Sequence, residues 1–278
     1  MGLAGRAAGG TTGSTRTWCT RCGARRSPRP GRRNDKVDAA ILAQLLRADL
    51  LPEAWIAPKD VRELRALLRH RVALVRLGTR LRNRIHAVVA DHGHDRPGAF
   101  WTGAYWTGPG RQWLAGLPLP AVSRLVIADS LGFIDTLAPT IEALDREIHA
   151  RAKADPRAKV VTALPGVGEF TAMVLLAEIG DIGRFGNARK LASWAGLTPT
   201  VRGSDVTVHH GHISTQASPY VRWVLGQAAH TAKRHPEFAG GYQDIATRRG
   251  KKIATVAVAR KLLTRAYHLL ADADTMKR

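Results

Sequence analysis

The chain has 278 residues, 45% of them hydrophobic, so it can bury a core in one large domain or in two or three small ones. Lys and Arg number 43 against 22 Asp and Glu, a formal net charge of +21. This excess indicates a polyanionic partner, most commonly nucleic acid, although composition alone also fits a protein that merely coats nucleic acid.

Membrane and secretory signals are missing from the sequence. No stretch approaches the ~18 consecutive apolar residues of a membrane helix. The first residues, MGLAGRAAGGTTGSTRTW, lack the apolar core of a signal peptide. The sparse cysteine of the chain fits a reducing cytoplasm, so we expect a cytoplasmic protein without a membrane partner.

Residues 1–33 differ from the rest of the chain in composition. They are rich in Gly, Arg, Ser and Thr, carry no acidic residue and show no helical or strand periodicity, which predicts a disordered basic tail. Cys19 and Cys22 form a single C-x-x-C, which supplies two of the four ligands that a structural zinc site needs, so a metal or redox role is not favoured. The composition of this tail also resembles a reading frame translated in the wrong register.

The first predicted helix starts at Asn34, an N-cap residue, and ends before Pro52. Asp35 and Asp38 are three positions apart, so they share one helix face and could present two carboxylates to a divalent cation. Acidic residues at a helix start are equally well explained by the helix dipole. Both interpretations stay open on local sequence alone.

Two long helices with apolar stripes are predicted over residues 59–155. The first runs from Asp60 to about Asp91 and is rich in Arg. The segment 93–118, with Gly, Pro and Trp, separates it from the second helix. The apolar stripes predict an antiparallel helical hairpin or a coiled-coil arm, with an ordinary helical bundle as the alternative. The stripe residues are Leu67, Leu74, Leu81, Ile85 and Val88 in the first helix and Ile134, Leu137, Ile141, Leu144 and Ile148 in the second.

A predicted domain boundary near residue 155 is followed by a compact, mostly helical segment, 156–278. Within it, Pro165, Gly166, Val167 and Gly168 predict a tight turn that opens a helix from about Glu169 to Ile179. Glycine lets backbone amides face an anion at the helix N-terminus. This pattern indicates a helix-hairpin-helix, which binds DNA phosphates without reading bases. The alternative is a structural turn between two packed helices.

Basic residues follow this turn and extend the predicted nucleic-acid surface. They are Arg184, Arg189, Lys190, Arg202 and Arg222. His209, His210 and His212 lack the carboxylate or cysteine that would complete a metal site, so exposed histidines in a DNA-binding loop are the simpler interpretation. No motif around Ser204 marks it as a nucleophile.

Four segments together resemble a known family. In order and spacing, NDKVDAAILAQLL, LPGVGEFTAMVLLAEIG, GLTPTVRGS and GHIS followed by YVRW are similar to the insertion-sequence transposases numbered one-hundred-and-ten. The resemblance covers residues 34 to about 272 and is most specific over 159–232. It implies a mainly α chain with a remnant of a RuvC-like α/β domain at 34–58, a coiled-coil arm at 59–155 and a helical transposase domain at 156–278.

The resemblance also implies a chemistry. Asp35 and Asp38 match the last two acidic residues of the family's DEDD set, which binds Mg²⁺. Ser204 matches a serine thought to attack the DNA backbone. The resemblance also implies a structured guide RNA as a second nucleic-acid partner, assembly into a homo-oligomer, and a nucleoid-associated location in a bacterial cytoplasm.

The departures from the family pattern lead to further expectations. No acidic residue precedes Asp35, so the strands that should carry the first two carboxylates are missing, which predicts an amino terminus that is truncated or frame-disrupted. Asp205 follows Ser204 where the family has glycine, and Ile213-Ser214-Thr215-Gln216-Ala217 replaces I-S-K-x-G. The alternatives are a recombinase, active or inactive alone, and a non-enzymatic remnant that binds nucleic acid through the hairpin and the basic arm. A junction-binding repair accessory ranks last because it leaves Ser204 and the two aspartates unexplained.

Overall fold

The computed structural model describes residues 35–50, 55–94, 103–204, 207–215 and 218–275. These residues are mainly helical, as predicted, and the chain divides into two units, 1–58 and 59–278. The helices and strands of the described residues are α1 Asp35–Arg47, α2 Lys59–Asp91, α3 Gly108–Ala115, α4 Ala121–Ala154, α5 Pro156–Thr162, α6 Glu169–Ile179, α7 Ala188–Trp194, β1 Pro199–Ser204, β2 Thr207–Ile213, α8 Pro219–Ala232, α9 Pro236–Arg249 and α10 Lys251–Thr275.

In the first unit, the predicted helix at the start of the ordered sequence is present as α1. It ends after Arg47, and Asp49 takes a positive φ of 54°. The amide of Leu50 then donates to the carbonyl of Leu45 at 2.9 Å. The helix therefore closes with a left-handed turn before Pro52, where the sequence predicted its end. Its origin in a RuvC-like domain stays a prediction.

Helices α2 and α4 pair in antiparallel fashion. His92 contacts Ser123 at 2.9 Å at one end of the pair, and Arg71 pairs with Asp145 at 2.8 Å towards the other. The predicted apolar stripe of α2 is only partly correct, since Ile85 is buried but Leu67, Leu74, Leu81 and Val88 are half-buried. The buried positions of α2 are Leu68, Val72, Gly78, Ile85 and Val89. The centre of the buried face is shifted because α2 packs against α6 as well as α4.

A small core closes the far end of this pair. Residues of the connection between the helices fold over it as a 3-10 helix, Ala104–Trp106, and as α3, which Thr107 caps through the amide of Gly110. Tyr105 stacks on Trp113 with 5.2 Å between ring centroids. These rings pack with Ile85 and Val89 of α2 and with Ile127 and Ile134 of α4. Trp106 and Trp113, which interrupt the helical pattern of the sequence, therefore pack against this small core at the end of the arm.

The main core is built around α6, the helix predicted over 169–179 and found at those residues. Every residue from Ala172 to Ile179 is buried, which is typical of a helix surrounded on all sides. Leu225 of α8 and Leu262 and Leu263 of α10 are among the fully buried side chains beside it. Leu68 and Ile148, from the near ends of α2 and α4, belong to the same core, so these helices are anchored in it.

A two-stranded antiparallel sheet, which the sequence analysis did not predict, lies between α7 and α8. In its register, Pro199 pairs with Ile213, and Ser204 pairs with Thr207 next to the connection. An irregularity between Pro199 and Val201 shifts the pairing. The helices of the described ranges include none that is both long and apolar enough to cross a bilayer.

Candidate functional site

The predicted tight turn at 165–168 joins α5 to α6, and its first glycine is required by packing. Gly166 has a φ of +77°, and a Cβ there would lie 2.5 Å from the backbone oxygen of Ala228. This close approach to α8 accounts for Gly166 without a ligand. Gly168, by contrast, is the N-cap of α6, and a Cβ at that position would have no neighbouring atom within 4 Å. Only the Gly168 end of the turn therefore offers open space beside helical amide groups.

A carboxylate already occupies the amino terminus of α6. Glu169 is the first residue of the helix, and its Oε2 contacts Nδ1 of His149 at 2.5 Å. A negative side chain at this end stabilises a helix through its dipole. The same charge competes with a phosphate for the same amides, so phosphate binding here requires Glu169 to remain turned towards His149.

Arg184, predicted to contact nucleic acid, packs against the carboxyl-terminal end of α6. Its Nε donates to the carbonyl of Ile179 at 3.1 Å, and its guanidinium lies 4.3 Å from the ring centroid of Phe185 and 5.0 Å from that of Trp194. Burial, assisted by the nearby Arg65 charge, lowers the pKa of Arg184 to about 10. The side chain is still cationic at neutral pH, but its Nε–H group and the face of its guanidinium have partners within the protein.

The same end of α6 is held by two arginines of α2. Arg65 donates to the carbonyls of Ala177 and Glu178 at 2.7 and 3.0 Å. Burial lowers the pKa of Arg65, and the Glu178 charge opposes that shift. Arg69 binds the Glu178 carboxylate, which is only 5% exposed, at 2.7 Å. These guanidinium groups satisfy the helix end and its buried acid.

The other basic residues predicted to contact nucleic acid differ in solvent exposure. Arg189 and Lys190 are exposed in the first turn of α7, where Asn187 caps the helix through the amide of Lys190. Arg222 is half-buried and donates to the carbonyl of Ala195 at 3.4 Å. The backbone of Arg202 pairs with His209, but the side chain of Arg202 lies outside the described part of the structure. Arg189 and Lys190 are therefore the predicted contacts that remain most accessible.

Ser204 is the last residue of β1, so its backbone stands where the hairpin turns. Its side chain, the connection at 205–206, and the side chains of His209 and His210 lie outside the described residues. The base of the hairpin is tied down by backbone bonds from Ser214 to Thr198 and from Thr215 to Gly196. An open groove of about 370 Å³ separates this base from α10. Its walls are Leu197, Pro199 and Ile213 on one side and Ile253, Val256, Ala257, Arg260, Lys261 and Thr264 on the other.

Asp35 and Asp38 lie in the first turn of α1. Among the residues described, no group of three or more His, Cys, Asp or Glu is arranged to share a metal ion. Carboxylate oxygens are donors suited to Mg²⁺, so the chemistry of this pair fits the predicted ion as part of a ligand set. Asp38 is exposed, whereas the side chain of Asp35 lies outside the described residues.

Sequence reasoning missed the buried ion pair and the hairpin. Glu178 could have been found, because a single acid inside the apolar run FTAMVLLAEI needs a buried partner. Which arginine supplies that partner depends on a contact more than 100 positions away, which no local pattern encodes.

Comparison with known proteins identifies two matching family models. A model described as the transposase IS116/IS110/IS902 family matches residues 158–243, which include the 165–168 turn and Ser204. A second transposase model, of the DEDD type, matches residues 21–93, which include Asp35 and Asp38. The second match begins within the predicted basic tail and extends through α2.

The chain is also similar to curated proteins of insertion elements and to a gene-inverting protein. An uncharacterized 43.6 kDa protein of insertion element IS110 from Streptomyces coelicolor is 26% identical, over 86% of this chain and 71% of its own length. A probable family 20 transposase from Pseudomonas aeruginosa is 27% identical, over 83% and 70%. A pilin gene-inverting protein from Moraxella bovis is 31% identical over 47% of this chain and 43% of its own length.

Proposed function

Because this chain belongs to the IS116/IS110/IS902 transposase family, we propose that it cuts and rejoins DNA strands of a bacterial insertion sequence with Ser204 as nucleophile. The observation that carries this proposal is the position of Ser204 at the turn of a β-hairpin within the matched segment. A serine at a hairpin turn can reach a backbone that lies across the surface of the domain. The relative named as a gene-inverting protein supports strand exchange as the reaction class.

The proposed chemistry balances without an outside energy source. The hydroxyl oxygen of Ser204 attacks the phosphorus of a DNA phosphodiester and loses its proton, while one P–O ester bond breaks and the departing deoxyribose oxygen gains a proton. A second DNA hydroxyl then attacks the phosphoserine and releases Ser204. The number of phosphodiester bonds is unchanged, so cutting and rejoining are both close to thermoneutral.

Asp35 and Asp38 would hold Mg²⁺ in this scheme, and the ion would neutralise charge on the reacting phosphate. The chain's own contribution to binding is the Gly168 end of the 165–168 turn together with Arg189 and Lys190. Arg202 and Arg222 extend this surface. Pro165, Gly166, Val167 and Gly168 would bind DNA phosphates as a helix-hairpin-helix. A guide RNA would be the second nucleic-acid partner, and a homo-oligomer would bring two DNA molecules together.

The test is a covalent-adduct assay. The protein is incubated with a nicked DNA that carries an insertion-sequence end, so that the released strand diffuses away and the phosphoserine accumulates. We expect a DNA–protein band on a denaturing gel and a modified peptide that contains Ser204. Ser204→Ala should abolish the band and retain DNA binding, while Ser214→Ala, just beyond the same hairpin, should leave both intact. An adduct that persists in Ser204→Ala would reject the assignment.

Non-enzymatic nucleic-acid binding is the second candidate function, and one feature favours it. Asp205 directly follows Ser204, and a carboxylate beside the nucleophile repels an incoming phosphate. This alternative predicts DNA or RNA binding that weakens steeply with salt, without any adduct.

A further inference from the structure

Helix α2 carries arginines in two different situations. Near its amino terminus, Arg65, Arg69 and Arg71 are held by carbonyls or carboxylates of α6 and α4. The guanidinium groups of these three side chains therefore have hydrogen-bond partners within the protein. In the described ranges, the arginines in the middle of the helix have no carbonyl or carboxylate partner, although Arg76 also lies 5.7 Å from the ring centroid of Tyr220.

Arg76, Arg80 and Arg84 are all exposed and follow one another at intervals of four residues. Side chains at this spacing lie on the same face of a helix. In the described ranges, no carboxylate lies within ion-pair distance of any of the three. We call this set the arginine stripe.

The arginine stripe is unfavourable for the helix alone, because like charges four residues apart repel each other. The neighbouring helix α4 carries five acids, and none of them forms an ion pair with the stripe: three pair with other arginines, and Asp129 and Glu142 form no ion pair in the described ranges. Its ion pairs are Asp135 with Arg111, Asp145 with Arg71, and Glu147 with Arg151. A polyanion that binds along α2 would relieve this repulsion.

The dimensions of the stripe fit a nucleic-acid backbone. Four residues of α-helix advance about 6 Å, so the stripe is about 12 Å long. One strand of a DNA duplex presents a phosphate every ~3.4 Å along its axis, which places three or four phosphates over that length. Guanidinium groups suit such contacts because their planar donors match two phosphate oxygens.

The inner end of the stripe is connected to the first turn of α6 through two aromatic rings. The guanidinium carbon of Arg76 is 5.9 Å from the ring centroid of Trp223, and that ring is 6.2 Å from Phe170. Phe170 directly follows Glu169, the first residue of α6. A duplex that contacts the amino terminus of α6 can therefore continue outward along α2.

We propose that the arginine stripe binds the backbone of duplex DNA and extends the contact of the transposase domain along the arm. The proposal rests on the proposed function, since it takes DNA as the ligand. It adds a second surface for phosphate contacts, on the arm and separate from the 165–168 turn.

The experiment compares the full chain with Arg76→Gln/Arg80→Gln/Arg84→Gln and with a control of equal charge loss, Arg146→Gln/Lys153→Gln/Arg234→Gln, whose residues are also exposed. Duplex DNA affinity is measured at several salt concentrations. We expect the stripe variant to bind at least tenfold more weakly at low salt. Its slope of log K against log salt should fall by roughly two to three, about 0.9 per lost phosphate contact. The control should stay close to the unmodified chain.

A lysine variant, Arg76→Lys/Arg80→Lys/Arg84→Lys, separates charge from folding and should keep most of the slope. Equal slopes for the stripe variant and the control would overturn the proposal. Loss of binding to an RNA duplex but not to a DNA duplex would also overturn it. If the unmodified chain forms the Ser204 adduct while the stripe has no effect, only this inference fails. If the stripe governs binding but no adduct forms, the strand-transfer chemistry fails and this inference stands.

Discussion

The guanidinium of Arg69 holds the carboxylate of Glu178 at 2.7 Å, although 109 positions separate the two residues. This ion pair joins α2 to the carboxyl-terminal end of α6. The carboxylate is almost fully buried, whereas the Arg69 side chain is 45% exposed. The pair therefore anchors the near end of the arm while one of its members stays in contact with water.

Glu178→Gln should destabilise the protein by about 1–3 kcal/mol, because a charge-assisted hydrogen bond is replaced by a neutral one inside the core. Glu147→Gln is the matched control, since Glu147 makes an exposed pair with Arg151 one helical turn away. That control should change stability by no more than about 0.5 kcal/mol. Urea unfolding of both variants measures the difference, and equal losses would contradict a structural role for Glu178.

Gly166→Ala should be more damaging than Gly168→Ala, two positions along the same turn. The new Cβ would meet the Ala228 oxygen at 2.5 Å, and the backbone there has a positive φ. Overpacking of this kind costs roughly 1–3 kcal/mol, with further strain from the left-handed backbone. Gly168→Ala, which meets open space, should cost about 1 kcal/mol or less. Thermal unfolding distinguishes them, and a larger loss for Gly168→Ala would argue against the packing described.

Substitution of Arg184 should lower stability, whereas substitution of Arg189 and Lys190 should weaken DNA binding. Arg184→Ala removes a hydrogen bond to Ile179 and contacts with two aromatic rings, so we expect a loss of about 1–3 kcal/mol. Its salt slope for DNA binding should be unchanged. Arg189→Gln/Lys190→Gln should leave unfolding unchanged but lower that slope by about one to two. If Arg184→Ala leaves stability unchanged and reduces the salt slope of DNA binding, Arg184 is a direct DNA contact.

Asp135 should give the arm a small acid sensitivity. Hydrogen bonds from Arg111 hold the pKa of Asp135 below its ordinary value. A carboxyl group with a lowered folded pKa adds stability above its ordinary pKa of about 4, and this contribution is lost as the pH falls through the folded value. Asp135→Asn should therefore lower the thermal midpoint slightly at pH 7, because the pair is largely exposed, and the difference from the unmodified chain should shrink as the pH falls below about 4. A difference that stays constant as the pH falls would contradict this assignment.

The helices were predictable where glycine, proline or capping residues mark their ends in the sequence. Gly168 and Gly180 bracket an apolar run, and the predicted bounds of α6 are those observed. The hairpin at 199–213 was not predicted, since its strands carry Arg, Gly, Ser and His instead of a regular apolar alternation. Strand formation there depends on pairing and context more than on local propensity.

The candidate site was predictable from the family pattern more than from local chemistry. Nothing around Ser204 distinguishes it from other loop serines, and only the order and spacing of motifs singled it out. Arg184 and Arg189 look equivalent in the sequence, yet the first contacts a helix end and two rings while the second is exposed. That difference arises from tertiary packing, which composition and periodicity do not encode.

Helix α2 contributes Leu68 to the main core and Ile85 and Val89 to the small core at the far end of the arm. The helix is 33 residues long and continuous between these positions, so buried side chains anchor it in both cores. Bending the middle of α2, where the arginine stripe lies, would therefore move buried side chains in both cores, so this one continuous helix connects the far end of the arm to the core around α6.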